Sequence, residues 1–206
     1  METPIQSKFV TIQQGRIHYL EAGPPGAPSV LFLHGASFSA QTWQDLGTLA
    51  LLAQNGYWAV AVDLPSFGQS GRVSGQPQDF LLELMERLSL TQPVLVSPSM
   101  SGGYSLPLVA QQPEKLKGFV AVAPVGIPSF ERQLKGIELP TLAIWGSNDQ
   151  IVPVTQAERL CHLLPNAQKV ILENAGHACY MRATDDFHQH LIQFVESCHR
   201  SKDQGE

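Results

Sequence analysis

Short apolar runs rich in β-branched residues alternate along the chain with longer segments of helical periodicity. The short runs predict strands, and the periodic segments predict amphipathic helices. This alternation is typical of a mainly parallel sheet with helices on both faces, because each parallel strand needs a crossover connection. The pattern therefore predicts an α/β fold.

The hydrophobic pattern also places the individual elements. An opening antiparallel hairpin is predicted at residues 9–14 and 16–21, with its turn at Gly15. The later predicted strands are residues 30–33, 58–62, 119–123, 141–145 and 169–172, together with a buried strand that begins at Val94. The predicted helices are residues 42–54, 78–90, 155–164 and 184–199.

Composition narrows the class of protein. With 206 residues, 43% of them hydrophobic, the chain is predicted to form one domain, residues 1–206. A net charge of −5 without a dense basic run argues against nucleic-acid and membrane partners. No signal segment or membrane-spanning stretch is evident in the sequence, and the three cysteines lack Cys-x-x-Cys spacing. A cytoplasmic location follows as an expectation.

Ser99 is the most informative residue, because a buried run breaks there into a glycine-rich helix start. Such a turn is typical of a nucleophile elbow, which strains the serine and lifts its hydroxyl above the sheet. Small serines, Ser97 and Ser101, stand where the elbow pattern has glycines. The backbone N–H of Met100 is predicted to stabilise an oxyanion, and the tight loop after the strand at residues 30–33 predicts a second donor at Ala36.

Two further loops carry candidate partners for Ser99. Asp149 and His177 each follow a predicted strand, and they come in the order serine, acid, histidine along the chain. A loop aspartate can also simply cap its own turn. The order nevertheless predicts that His177 is a general base and that Asp149 orients it.

Other polar residues are predicted to have structural roles. Ser101 would already lie in the helix after the elbow, and Cys179 is expected to be a small buried loop residue. Pro107 is predicted to kink or interrupt that helix. His188 and His190 are two residues apart on a helix and make a poor metal pair, so no metal site is predicted. Surface positions are predicted for His18, His162 and His199.

Five motifs in order resemble the α/β-hydrolase family over nearly the whole chain: His34-Gly35, residues 63–70, the Ser99 elbow, residues 146–153 and Gly176-His177. Residues 42–44, 97–101, 104–107 and 176–180 further resemble the abhydrolase domain-containing 14 subgroup. The resemblance implies an α/β-hydrolase fold with Ser99, Asp149 and His177 as nucleophile, acid and base, and no cofactor. Many members insert a helical cap where this chain has only residues 124–139, predicted to be a loop with room for one helical turn.

A site with little or no cap is expected to be open and shallow. It would accept a small acyl ester, or a small acyl group displayed on a larger molecule. The predicted wall residues are Phe38, Phe67, Tyr104 and Ile127, which could equally pack against the sheet edge. The sequence thus predicts a serine hydrolase acting through an acyl-enzyme. Acyl transfer to a thiol, amine or alcohol, and a non-catalytic protein-binding module, remain as alternatives.

Overall fold

Eight strands form one sheet in the computed structural model, which describes residues 4–200. In chain order the strands are β1 Gln6–Ile12, β2 Gly15–Ala22, β3 Ser29–Phe32, β4 Trp58–Val62, β5 Val94–Pro98, β6 Gly118–Val122, β7 Thr141–Gly146 and β8 Ala167–Leu172. The spatial order is β1-β2-β4-β3-β5-β6-β7-β8. Strand β2 runs antiparallel to β1 and β4, and the other neighbours are parallel. The predicted mainly parallel sheet is confirmed; the predicted range of residues 1–206 extends beyond the described residues at both ends.

Helices connect the successive parallel strands from β3 to β8, and within residues 4–200 two more helices follow β8. Within the described residues they are α1 Ala40–Asp45, α2 Thr48–Gln54, α3 Pro77–Arg87, α4 Gly102–Gln111, α5 Ile127–Leu134, α6 Thr155–Leu163, α7 Cys179–Arg182 and α8 Thr184–Arg200, with 3-10 helices at Ser99–Ser101 and Pro113–Lys115. Successive side chains of a strand point to opposite faces, so the buried strands contribute side chains to two apolar layers, one on each face of the sheet. One layer packs against α3, α4, α5 and α6, and the other against α1, α2 and α8. The sheet is therefore covered on both faces, as predicted.

The turn of the opening hairpin differs from the prediction. Ile12 pairs with Gly15, so the turn consists of Gln13 and Gln14, both in the left-handed region with φ of 46° and 66°. Left-handed backbone at both central residues matches the twist of the flanking strands. Gly15 is instead required by packing, because a β-carbon there would lie 2.5 Å from the carbonyl oxygen of Arg72.

The helix predicted at residues 42–54 is two helices. Gly47 has a φ of 74°, and it separates α1 from α2. Apolar residues on both sides of Gly47 are buried, so the hydrophobic pattern runs across the break. A left-handed glycine ends one helix without the penalty that a β-carbon would bring.

The segment between β6 and β7 holds more helix than expected. It contains the eight residues of α5, where a loop with one turn was predicted. Gly126, with a φ of 97°, precedes the helix, and Pro128 lies in its first turn, where a proline costs no hydrogen bond. Ile127 and Leu134 are buried and attach α5 to the core. Pro107 does not interrupt α4, which continues through it to Gln111.

One buried and two half-buried histidines make the stability of the fold depend on pH. Burial lowers the pKa of His34, His188 and His199 below the ordinary histidine value. As the pH falls below about 6.5, the unfolded chain binds protons that the folded chain does not bind, so the free energy of unfolding decreases. We expect the urea midpoint to be lower at about pH 5.5 than at about pH 7.5.

The histidine contribution can be isolated with one variant. The Nε2 atom of His188 is 2.9 Å from the hydroxyl of Thr48, a contact that glutamine can also make. His188→Gln is therefore expected to reduce the loss of stability between the two pH values. The matched control is His162→Gln, at an exposed helical position. Equal pH dependence in wild type and His188→Gln would contradict this assignment.

Candidate active site

Loops that follow parallel strands meet at one edge of the sheet. Ser99 comes directly after β5, Asp149 follows β7, and His177 follows β8. The carboxyl ends of parallel strands lie at the same edge, where open α/β sheets place their sites. The structure brings these three predicted site residues together there.

The backbone at Ser99 is strained. Its φ of 51° lies in the left-handed region, which costs a residue other than glycine about 1 kcal/mol or more. The N–H of Val125 donates to the carbonyl oxygen of Ser99 across 2.9 Å and helps to hold this conformation. The 3-10 helix Ser99–Ser101 then leads into α4. The elbow has the strain that its sequence predicted.

A continuous hydrogen-bonded chain joins the three side chains. The Oγ atom of Ser99 is 2.7 Å from Nε2 of His177, and Nδ1 of His177 is 2.8 Å from Oδ2 of Asp149. Because an ionised carboxylate only accepts hydrogen bonds, Nδ1 is the ring nitrogen that carries the proton. Nε2 is then free to accept the Ser99 hydroxyl proton, as a general base requires.

The carboxylate of Asp149 has two tasks. Its side chain is fully buried, and Oδ1 accepts the N–H groups of Ile151 and Val152 at 2.8 and 2.9 Å. These bonds close the turn after β7, so the structural role weighed for a loop aspartate is present. The other oxygen, Oδ2, faces His177. The turn therefore fixes the carboxylate that orients the imidazole.

The serines around the elbow form their own hydrogen-bonded cluster. The hydroxyl of Ser97 lies 2.9 Å from that of Ser101 and 2.7 Å from that of Ser105, and all three residues are fully buried. The close backbone approach that usually demands glycine occurs one residue later. A β-carbon on Gly102 would lie 2.3 Å from the carbonyl oxygen of Val125. Serines are therefore tolerated at positions 97 and 101, because the elbow has the required glycine at 102.

The loop after β3 reaches the elbow. A β-carbon on Gly35 would lie 3.6 Å from the Cβ of Ser99, so the two loops are in contact. The carbonyl oxygen of Gly35 accepts hydrogen bonds from Nδ1 of His34 and the N–H of Phe38, at 2.8 and 3.1 Å. In a trans peptide the N–H points opposite to the carbonyl, so the Ala36 N–H is directed away from His34.

The imidazole of His34 is held in one tautomer. Its Nε2 accepts the N–H of Leu64 at 2.9 Å, which leaves the proton on Nδ1 for Gly35. Met100, the second predicted oxyanion donor, is in the first turn of the 3-10 helix, where N–H groups have no partner within the helix. The backbone donor predicted at Met100 therefore directly follows Ser99, and the donor predicted at Ala36 lies in the loop after β3.

The predicted wall residues lie in different surroundings. Phe38 packs on Gly35 and edge-on to Tyr180, and Phe67 packs edge-on to His34. Tyr104 is half-buried against Phe80, and burial raises its pKa. Ile127 is only 1% exposed and packs in the core, so it offers no surface to a ligand.

The rival nucleophiles are unsuited to reaction. Ser101 is buried, and its hydroxyl donates to the carbonyl oxygen of Pro98 at 2.7 Å. Burial raises the pKa of Cys179 to about 12, so its thiol is not ionised near neutral pH.

Among residues 4–200, no group of three or more His, Cys, Asp and Glu side chains is placed to hold a metal ion. In the same stretch, no helix is both long and apolar enough to cross a membrane.

Two features were missed by the sequence reasoning. The prediction of a surface position for His18 is wrong, because the residue is 3% exposed and bonded to the buried Asp63. In addition, three exposed large apolar side chains belong to residues next to the site: Val125, whose N–H bonds Ser99, Ile151, whose N–H bonds Asp149, and Met181 in α7, a helix that begins two residues after His177. They are 37%, 67% and 42% exposed. We call these three residues the apolar rim. No local pattern separates them from apolar residues that pack inward.

Comparisons with known proteins agree with the fold. A model described as "Alpha/beta hydrolase family" matches residues 30–137, and one described as "alpha/beta hydrolase fold" matches residues 127–184. The solved structure of a "predicted CIB-like hydrolase" from Thermoplasma acidophilum superposes with a TM-score of 0.89 at 24% identity, covering 95% of this chain and 99% of that one. This likeness establishes the fold.

Curated relatives place the chain more narrowly. It is 42% identical to the protein ABHD14A of Rattus norvegicus over 81% of this chain and 71% of the relative. It is 37% identical to a human protein named "Putative protein-lysine deacylase ABHD14B" over 95% of this chain and 99% of the relative. The chain therefore belongs to the alpha/beta hydrolase family, among the relatives of ABHD14A and ABHD14B.

Proposed function

We propose that this hydrolase-family chain is a serine hydrolase in which Ser99 is the nucleophile, His177 the general base and Asp149 the orienting acid. One observation carries the proposal: the hydrogen-bonded chain from Ser99 through His177 to Asp149, at 2.7 and 2.8 Å, begins at a serine with a φ of 51°. A base within hydrogen-bond reach and oriented by a third group is the general signature of an activated nucleophile.

The proposed reaction has two steps. His177 Nε2 takes the hydroxyl proton as Ser99 Oγ attacks the acyl carbon, and the same proton then passes to the leaving group. The N–H groups of Ala36 and Met100 stabilise the negative oxygen of each tetrahedral intermediate. Water then attacks the acyl-enzyme with His177 again as the base. Asp149 remains ionised and stabilises the imidazolium.

The proposed substrate is a short acyl group displayed on a larger molecule. Between β6 and β7 the chain has the eight residues of α5 and connecting loops, not a cap domain. The apolar rim consists of exposed side chains on residues next to the site, and it offers an apolar surface for the molecule that displays the acyl group.

Acyl-lysine in proteins is the second candidate substrate. The name of the human relative ABHD14B refers to protein-lysine deacylation, and that relative aligns with 95% of this chain. Removing an acyl group from the lysine Nε would use the same attack, with protonation of the amine by His177 as it leaves. An amide is a poorer acyl donor than an aryl ester, so trapping should begin with the ester.

The test is capture of the acyl-enzyme by mass spectrometry after rapid acid quenching. Acetyl donors of three classes are compared: an aryl ester, a thioester and an Nε-acetyl-lysine peptide. The proposal predicts one acetyl group on the peptide that contains Ser99, formed from at least one donor. Acetylation only at other residues, or no acetylation of the folded protein, would contradict the proposal and favour the binding-module alternative. A new thioester after adding a thiol would identify acyl transfer.

The apolar rim should matter only for large substrates. Ile151→Glu places a charge on a side chain that is 67% exposed, beside the turn that holds Asp149. We expect KM for an acyl-peptide to rise by about tenfold, because a desolvated carboxylate opposes apolar contact. Turnover of a small aryl acetate should change little.

The control for this prediction carries the same added charge. Gln150→Glu changes the neighbouring exposed residue and leaves the rim intact. Steady-state kinetics of both variants on both substrates separates the two effects. Equal changes in KM for Ile151→Glu and Gln150→Glu would show that net charge, and not the rim, is responsible.

A further inference from the structure

A second hydrogen-bonded chain of serine, histidine and aspartate lies outside the candidate active site. The Oγ atom of Ser7 is 2.9 Å from Nε2 of His18, and Nδ1 of His18 is 2.8 Å from Oδ2 of Asp63. Ser7 is in β1, His18 is in the paired strand β2, and Asp63 directly follows β4. The connectivity of atoms is the same as in the chain that begins at Ser99.

Buried hydrogen bonds hold the acid and the base of this second chain. Asp63 is 2% exposed, and its carboxylate accepts the N–H groups of Ala40 at 2.7 Å and Gln69 at 2.8 Å. The backbone N–H of His18 donates to the hydroxyl of Ser70 at 2.9 Å. Asp63 therefore resembles Asp149, whose carboxylate is also fixed by two backbone N–H groups.

The tautomer of His18 is the one that a general base needs. Because the ionised carboxylate of Asp63 only accepts, Nδ1 carries the proton. Nε2 then accepts, and both groups near it are donors: the Ser7 hydroxyl at 2.9 Å and the side-chain amide nitrogen of Gln69 at 3.4 Å. The lone pair of His18 is thus aimed at the Ser7 proton.

Ser7 is accessible to a reagent, whereas its base is not. Ser7 lies in an exposed position of β1, the strand at one edge of the sheet, whereas His18 is only 3% exposed. Alternate residues of an edge strand direct their N–H groups away from the neighbouring strand. An edge strand thus leaves the side of β1 that faces away from β2 open to a reagent.

We propose that Ser7 is a second nucleophilic serine, which His18 activates and which takes acyl groups from activated acyl esters. The Oγ–acyl carbon bond forms and the carbon–oxygen bond to the leaving group breaks. The hydroxyl proton passes to His18 Nε2 and then to the leaving alcohol or phenol. Ser7 lacks the positive φ of Ser99 and lies in a regular strand, not at the start of a helix, so we expect stoichiometric acylation with slow turnover.

The experiment uses the full chain with Ser99→Ala, so that the first site is silent. The protein is incubated with an aryl acetate or a fluorophosphonate, and the labelled residues are mapped by peptide mass spectrometry. Ser74, an exposed serine with no such base, is the internal control. We expect labelling of Ser7 at least about tenfold faster than labelling of Ser74. Equal rates at the two serines would overturn the proposal.

A thiol variant gives a second readout that does not depend on acyl chemistry. Ser7→Cys and Thr11→Cys, both in the Ser99→Ala chain, place thiols at two exposed positions of β1. A thiol that donates to an imidazole ionises more readily, so Ser7→Cys should be alkylated about tenfold faster near neutral pH. Equal alkylation rates of the two mapped cysteines would contradict activation by His18. Ser7→Ala alone should leave turnover at Ser99 unchanged.

Discussion

Ser99→Ala is expected to lower kcat/KM for a short aryl ester by at least about ten-thousand-fold, because no other described nucleophile reaches His177. The substitution removes one hydroxyl and leaves β5, α4 and the contact with Val125 in place. The folded state should therefore be retained. A fluorophosphonate should label the Ser99 peptide of wild type, and peptide mass spectrometry should show that the corresponding peptide of the variant carries no label.

Ser101→Ala is the matched control for this prediction. It removes a hydroxyl only two residues away, one that bonds Ser97 and Pro98 inside the core. We expect it to cost about 1 kcal/mol of stability or more, from the lost hydrogen bonds, while most of the turnover remains. Full activity in Ser99→Ala, or complete loss in a folded Ser101→Ala, would reverse the assignment of the nucleophile.

Asp149→Asn should have the second largest effect, with a loss of kcat of about ten-thousand-fold and little change in stability. An asparagine oxygen can still accept the N–H groups of Ile151 and Val152, which preserves the turn. Its NH₂ group would then face Nδ1 of His177 and favour the tautomer with the proton on Nε2. That tautomer cannot accept the Ser99 proton.

The comparison with Asp149→Ala separates orientation from folding. Alanine removes the two turn bonds as well as the bond to His177, so it should also lower the free energy of unfolding by about 1–3 kcal/mol. Thermal denaturation and ester kinetics of both variants measure the two effects independently. If Asp149→Asn kept wild-type kcat, a different acid would have to orient His177.

Local patterns predicted the strands better than the connections between them. Strand β4 was predicted at its observed bounds, because its fully apolar run is only five residues long and follows the turn signal Asn55-Gly56. The break at Gly47 and the helix α5 were missed, since both depend on glycines in left-handed backbone. At such a position the hydrophobic pattern is similar whether the glycine is helical or left-handed. The path of the chain is therefore decided by what the residues on either side of the glycine pack against.

The sequence by itself determined the alternation of strands and helices, and the order of Ser99, Asp149 and His177 after three strand ends. These features are local, because each depends on a few adjacent residues. Only the tertiary structure decided that the backbone of Gly102 packs closely against the carbonyl group of Val125, and that His18 is buried against Asp63. Both depend on contacts between residues far apart in the chain. Strand order creates those contacts, and no periodicity of a single segment encodes it.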